Sequence, residues 1–144
     1  SVDKNFDSSQ FVCDWLQRDL LNIIFGNSDN HGRNTSFLKK SGRIFLAPIY
    51  DFAPMKADPE VVTRSTTWGS PYEEGGEYRW EGITQNLAHW CEPHISLSTL
   101  KILASKLLGL KQQLINKGVP QTIIDMPGLG YDFIEAKLSR WELL

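Results

Sequence analysis

The chain has 144 residues, of which 41% are hydrophobic, and this combination suits one packed domain and excludes a largely disordered chain. Its formal net charge of −2 at pH 7 excludes a bulk electrostatic attraction to nucleic acid. The sequence shows no signal peptide and no long apolar run, so we expect a cytoplasmic protein that does not contact a membrane.

The first predicted element is an amphipathic helix. Apolar residues recur at helical spacing over residues 11–24, with polar residues largely between them, which predicts a helix over about residues 9–25. Ser8 or Ser9 is the expected N-cap, and Gly26 is expected to end the helix. The polar stretch that follows is therefore predicted to be a loop fixed to the end of a packed helix.

A short β-hairpin is predicted next. Strands are expected over residues 35–38 and 43–47, with the turn at 39–42 and Pro48 at the end of the second strand. A hairpin brings the chain back beside its own start. We therefore expect the residues that follow the second strand to lie near Asn34.

The remainder is predicted to be one long loop followed by helices. Residues 53–82 are rich in Gly and Pro, and four aromatic residues among them argue against plain disorder. The later predictions are a short helix at 83–91, a longer helix from Ser96 or Ser98 to about Gly118 with a weak point at Gly109, a helical turn at Ile123 and Ile124, and a final helix containing Ile134, Leu138 and Trp141. The expected fold class is α+β and mainly α.

The two cysteines are predicted to be free thiols. Cys13 and Cys91 are far apart in sequence and show no metal-ligand spacing, so a reducing compartment is the preferred interpretation and a disulfide is the less favoured one. His89 and His94 flank Cys91 at spacings that do not match those of zinc sites.

The candidate catalytic residues lie in the stretch NSDNHGRN at residues 27–34. Asp29 and Asn34 have the spacing of the kinase catalytic loop D-x-x-x-x-N, in which the Asp accepts the substrate hydroxyl proton and the Asn binds Mg²⁺. His31 could orient Asp29 or the loop backbone. Taken alone, Asp29 is more simply interpreted as a turn residue, and a half-exposed loop histidine is an equally good interpretation of His31.

A second acidic residue makes the pattern more specific. Asp51 follows the predicted hairpin within YDF at residues 50–52 and corresponds to the metal-binding Asp of the kinase Asp-Phe-Gly motif, although Ala53 replaces its Gly. Asn34 and Asp51 are the predicted Mg²⁺ ligands, because amide and carboxylate oxygens suit a hard cation. The sequence contains neither a P-loop motif nor a Gly-rich loop followed by a strand-borne Lys, so the part that grips a nucleotide is expected to be missing.

Two stretches resemble the C-terminal region of the HipA toxin-kinase family. They are NSDNHGRNTSFL at 27–38 and LAPIYD at 46–51, and the resemblance covers about residues 11–55. The residues at 51–55 and GGEY at 75–78 are similar to the YjjJ-like branch of the family.

The resemblance implies that residues 1–144 form one domain, the helical C-lobe of a serine/threonine protein kinase. Its hairpin would lead to the metal-binding Asp51. The chain begins with Ser1 and not with Met, which is expected of a fragment or processed piece of a longer protein. The resemblance implies that the N-terminal nucleotide-gripping lobe lies upstream, and the chain alone is expected to be inactive because phosphate positioning needs both lobes. Asp29 would be the catalytic base, while Asn34 and Asp51 would hold Mg²⁺ against the phosphates of ATP.

The same resemblance implies partners. Family members act as bacterial growth-arresting toxins, with aminoacyl-tRNA synthetases as well-known protein substrates and a small DNA-binding antitoxin as a frequent partner. Direct contact between this chain and nucleic acid is not expected.

Two other functions stay open from the sequence. A metal-dependent hydrolase or nuclease could use Asp29, His31 and Asp51 to activate water, and it would not need ATP. A non-catalytic binding module would retain these residues as a relic and bind a partner through its long loop.

Overall fold

The computed structural model describes residues 5–58, 60 and 63–144. The fold class is α+β and mainly helical, as predicted, with two small antiparallel hairpins. The elements in chain order are α1 (Ser8–Phe25), β1 (Phe37–Lys40), β2 (Arg43–Leu46), β3 (Glu73–Glu74), β4 (Glu77–Tyr78), α2 (Trp80–Asn86), α3 (Pro93–Lys106), α4 (Leu110–Asn116), α5 (Gln121–Ile124) and α6 (Ile134–Arg140). Within the described ranges, no helix is long and apolar enough to cross a membrane.

Helix α1 confirms the first prediction except for its N-cap. Asp7 caps the helix, because its carboxylate accepts a hydrogen bond of 3.0 Å from the backbone N–H of Gln10. The hydroxyl of Ser8 instead donates to the backbone carbonyl of Trp90, 82 positions away. Gly26 ends the helix in the left-handed conformation, with φ of 70°.

The core is built around α1 and α3. Leu16, Leu20 and Leu100 have no exposed surface, and α1 and α3 pack directly on each other. Buried residues from the later elements complete the same cluster: Trp80, Ile83, Ala104, Leu110, Leu129, Tyr131, Ile134, Leu138, Trp141 and Leu143. The helix that carries the predicted catalytic loop is thus the central helix of the domain.

The predicted hairpin is present, but β1 is shifted toward the turn. Ser41 and Gly42 form a two-residue turn, with φ of 51° and 77°, and Lys40 pairs with Arg43 across it. The prediction of a four-residue turn at 39–42 was wrong. A two-residue turn with two positive φ values matches the twist of the strands, so Lys39 and Lys40 pair with residues of β2.

The long predicted helix is divided into two. Pro93 opens α3 at the first helical position, earlier than the predicted serine caps, because its missing N–H needs no partner there. Gly109 takes a left-handed conformation with φ of 68° and separates α3 from α4. The short helix predicted at 83–91 lies at Trp80–Asn86, whereas the final helix is confirmed as α6.

The loop predicted at 53–82 is more structured than expected. It contains a 3₁₀ turn at Met55–Ala57 and the hairpin of β3 and β4; residues 59 and 61–62 of the predicted loop lie outside the described residues. The thiols of Cys13 and Cys91 are free, as predicted, and both are buried, with their sulfurs 3.9 Å apart.

Candidate active site

The loop that carries Asp29 is rooted in the end of α1. The backbone N–H of Asn27 donates to the carbonyl of Asn22 at 2.8 Å, and the side-chain amide of Asn27 donates to that of Asn22 at 2.9 Å. Asn27 and Ser28 are 6% and 3% exposed. Because its first residues are buried and bonded to the helix, the loop leaves α1 in a fixed direction.

Three of the predicted site residues lie in this one loop and contact one another. A carboxylate oxygen of Asp29 lies 3.3 Å from Nε2 of His31, and the two side chains are 35% and 43% exposed. The side-chain amide of Asn34 donates to the backbone carbonyl of Asp29 at 2.7 Å. This arrangement leaves a partly solvated carboxylate that contacts His31, on a backbone that Asn34 restrains, and such a carboxylate can accept a proton.

The segment that carries Asp51 is tied to both α1 and the loop. The guanidinium of Arg18 donates a short hydrogen bond to the carbonyl of Ala47, and the hydroxyl of Tyr50 donates to the carbonyl of Arg33 at 3.0 Å. The expected approach of the post-hairpin segment to the loop at 27–34 is confirmed by the Tyr50 contact.

Asp51 itself is exposed and has a φ of 52°, in the left-handed region that non-glycine residues rarely adopt. Such conformations cluster at functional sites, where the surrounding structure holds them. The positive φ of Asp51 is therefore typical of a residue with a functional role.

A small cavity of about 40 Å³ opens beside the loop. Its wall includes Asn27, Asn30, His31, Asn34 and Tyr50. Three buried polar atoms of these residues have no hydrogen-bond partner among the described residues: Oδ1 of Asn27, Oδ1 of Asn30 and Nδ1 of His31.

The predicted metal ligands fit Mg²⁺ only together with phosphate oxygens. Across the described ranges, no three His, Cys, Asp or Glu residues form a group that could hold a metal ion. Asn34 and Asp51 offer one amide oxygen and one carboxylate. Mg²⁺ is commonly held by one or two protein oxygens, with nucleotide phosphates and water completing its shell, so this donor set is chemically suited to a metal–nucleotide complex.

A buried ionic cluster behind the loop was not predicted from the sequence. Asp19 of α1 is 5% exposed and pairs with Arg64 through two hydrogen bonds of 2.7 Å. Arg64 also donates to Glu73 at 2.9 Å. Burial lowers the pKa of Arg64, but the hydrogen bonds and charge of Asp19 more than offset this, so the pKa lies above its ordinary value.

One signal in the sequence could have revealed Asp19. Counted along α1, it falls on the same face as Val12, Leu16 and Ile23, where an apolar residue is expected. Its partner Arg64 gives no such signal, because it lies in an irregular segment without periodicity.

The HipA-like C-terminal domain model matches residues 4–109 of the chain. That range includes the loop, the first hairpin, Asp51 and the Asp19–Arg64–Glu73 cluster. The match is to the family as a whole and does not select the YjjJ-like branch. No curated protein and no solved structure matches the chain. Because the family model covers well over half of the sequence, the chain belongs to the HipA-like C-terminal domain family.

Proposed function

We propose that this domain supplies the base and the metal ligands of a serine/threonine protein kinase of the HipA type. The reaction would transfer the γ-phosphate of ATP to a hydroxyl group of a protein. The family match supports the kinase class, and the contacts within the loop at 27–34 support the assignment of residues.

The observation that carries the proposal is the pairing of Asp29, His31 and Asn34 in a single turn. Nε2 of His31 is 3.3 Å from the Asp29 carboxylate, and Asn34 holds the Asp29 carbonyl at 2.7 Å. The carboxylate would accept the proton of the substrate hydroxyl while His31 keeps it in place. Asn34 would fix the loop with its amide nitrogen and leave its amide oxygen for a cation.

Asp51 and Asn34 would hold Mg²⁺ with ATP. When bound, the metal–nucleotide complex supplies the phosphoryl group and neutralises the charge that develops on it. The residues of this chain position the complex and take the proton, and such positioning is the main source of rate acceleration in phosphoryl transfer.

The substrate class is a protein with an accessible serine or threonine. An aminoacyl-tRNA synthetase is the first candidate substrate, and a small DNA-binding antitoxin is the first candidate regulator. Both candidates are proposed from the family relationship alone.

The test is γ-phosphate transfer from radiolabelled Mg²⁺-ATP by the complete gene product. Asp29→Asn keeps the size of the side chain and removes the base, so we expect labelling to fall at least about a hundredfold. Asp125→Asn is the matched control, because Asp125 is 55% exposed and pairs with Lys111 away from the loop. We expect this control to label at the wild-type rate.

Asp51→Asn tests the metal role separately. We expect it to raise the Mg²⁺ concentration needed for half-maximal labelling, because one anionic oxygen ligand is lost. Equal labelling by wild type and Asp29→Asn would contradict the base assignment. ATP-independent, metal-dependent cleavage of nucleic acid that is lost in Asp29→Asn would identify a hydrolase instead.

A further inference from the structure

Asp19 uses both carboxylate oxygens within the protein. Oδ1 accepts from Arg64 at 2.7 Å and from the side-chain amide of Asn30 at 3.3 Å. Oδ2 accepts from Arg64 at 2.7 Å and from the indole N–H of Trp68 at 2.8 Å. A carboxylate that is 5% exposed requires such partners, because burial of an unpaired charge is costly.

Arg64 joins the long loop to the central helix. Its planar guanidinium lies between two carboxylates, with Asp19 on one side and Glu73 on the other. Glu73 in turn accepts from the backbone N–H of Trp68 at 2.8 Å and from the hydroxyl of Tyr78 at 3.3 Å. The cluster therefore anchors residues 64–78 on α1 through charge-assisted hydrogen bonds.

Asn30 connects this cluster to the catalytic loop, because it lies between Asp29 and His31 in the sequence. Its amide nitrogen points toward the Asp19 carboxylate, which fixes the orientation of the side chain. Asn34 holds the Asp29 carbonyl from within the loop. The backbone at Asp29 is thus restrained on one side by Asn34 and on the other by the buried cluster.

We propose that Arg64 is a positioning residue that sets the geometry of Asp29 through Asp19 and Asn30. It does so by holding the Asp19 carboxylate where Asn30 can donate to it. The catalytic meaning of this proposal rests on the proposed kinase function. The claim that the cluster restrains the loop does not depend on that function.

The direct test removes the hydrogen bond from Asn30 to Asp19 and leaves the remainder of the cluster in place. Asn30→Ala in the complete gene product deletes one side-chain hydrogen bond and keeps the Asp19–Arg64 pair. We expect kcat for phosphate transfer to fall about tenfold, with KM for ATP unchanged within about twofold. Amide hydrogen exchange of residues 27–31 should become faster, while the thermal midpoint falls by only about 2–4 °C, as expected for the loss of one hydrogen bond.

Arg64→Lys tests the other end of the path. Lysine keeps the positive charge but cannot form the two-pronged contact with Asp19, so we expect the same fall in kcat and the same faster exchange. The double variant should be no slower than the slower single variant, because both changes interrupt one path. If the fall in kcat of the double variant instead equals the product of the two single falls, the two residues act independently, and the proposed path from Arg64 to Asn30 is overturned.

Asn116→Ala is the matched control. Asn116 lies on α4 and accepts from Gln112 on the surface, so kcat and loop exchange should both equal those of the wild type. Wild-type kcat and exchange in Asn30→Ala would overturn the proposal. A fall in kcat without faster exchange would also overturn it, since Asn30 would then act on the substrate and not on the loop.

Failure of the kinase function gives a different result. If the wild type transfers no phosphate, the proposed function fails, and hydrogen exchange alone decides whether the cluster restrains residues 27–31. If Arg64→Lys does not fold, the Asn30→Ala comparison alone decides the proposal.

Discussion

At the scale of single residues, burial determines which polar groups are fixed and which remain available. Arg64 and Tyr78 lie in the interior with their polar atoms bonded, and the guanidinium of Arg64 lies 5.8 Å from the centre of the Tyr78 ring. Asp29 and Asp51, by contrast, retain access to solvent. The buried charges thus belong to the support of the site, and the accessible ones to the reaction that we propose.

Tyr78 gives a pH-dependent prediction at this scale. Burial raises its pKa above the ordinary value, and the charge of Arg64 only partly opposes this. A tyrosine of the unfolded chain ionises near pH 10, before the folded one. The stability that comes from neutral Tyr78 is therefore complete below about pH 10 and is lost as pH rises toward the folded-state pKa.

We expect the free energy of unfolding to fall more steeply above pH 10 in the wild type than in Tyr78→Phe, which has no phenol to ionise there. Urea titrations at a series of alkaline pH values measure both slopes. Identical slopes would show that the Tyr78 hydroxyl does not resist ionisation in the folded protein.

At the scale of elements, the end of α1 is the critical junction. Gly26 closes the helix with a φ of 70°, and a Cβ at that position would lie 2.7 Å from a methyl carbon of Leu129. The residue after it begins the loop at 27–34. Helix ending, core packing and loop placement therefore depend on the same backbone position.

Gly26→Ala is predicted to be more destabilising than Gly42→Ala. Both positions have positive φ, which costs an alanine roughly 1–2 kcal/mol, but a Cβ at Gly42 meets no atom within 4 Å. Both variants carry the free-energy cost of a positive φ, and only Gly26→Ala adds a close contact with Leu129. Equal losses in urea denaturation would show that Leu129 moves aside without cost.

At the scale of the whole molecule, the core extends beyond the part that matches the family. The match ends at residue 109, where Gly109 also separates α3 from α4. Residues 110–143 nevertheless contribute buried side chains to the same cluster as α1. The C-terminal segment is therefore part of the same core as α1, the helix that carries the loop at 27–34.

Leu138→Ala tests this contribution. Leu138 has no exposed surface, whereas Phe133 is 63% exposed. We expect Leu138→Ala to lower the free energy of unfolding by about 2–5 kcal/mol and Phe133→Ala to change it by less than about 1 kcal/mol. A small effect of Leu138→Ala in urea denaturation would mean that the C-terminal helices do not stabilise the remainder.

The sequence by itself determined the features that depend on neighbouring residues. Periodicity placed α1 to within a residue at its start, Gly26 marked its end, and the spacing of Asp29 and Asn34 identified the loop that the structure folds into one turn. Helical repeats, glycine stops and loop motifs are local, because each depends on backbone preferences within a few positions.

Only the tertiary structure decided the features that need a distant partner. Ser8 bonds to a carbonyl 82 positions away and leaves the cap to Asp7, and Asp19 is buried because Arg64, 45 positions away, neutralises it. No local pattern encodes such a pair, since an acidic residue on an apolar helix face is stable only when the folded chain supplies its counter-charge. The loop at 27–34 could therefore be located from the sequence, whereas its supporting cluster became visible only when the chain was folded.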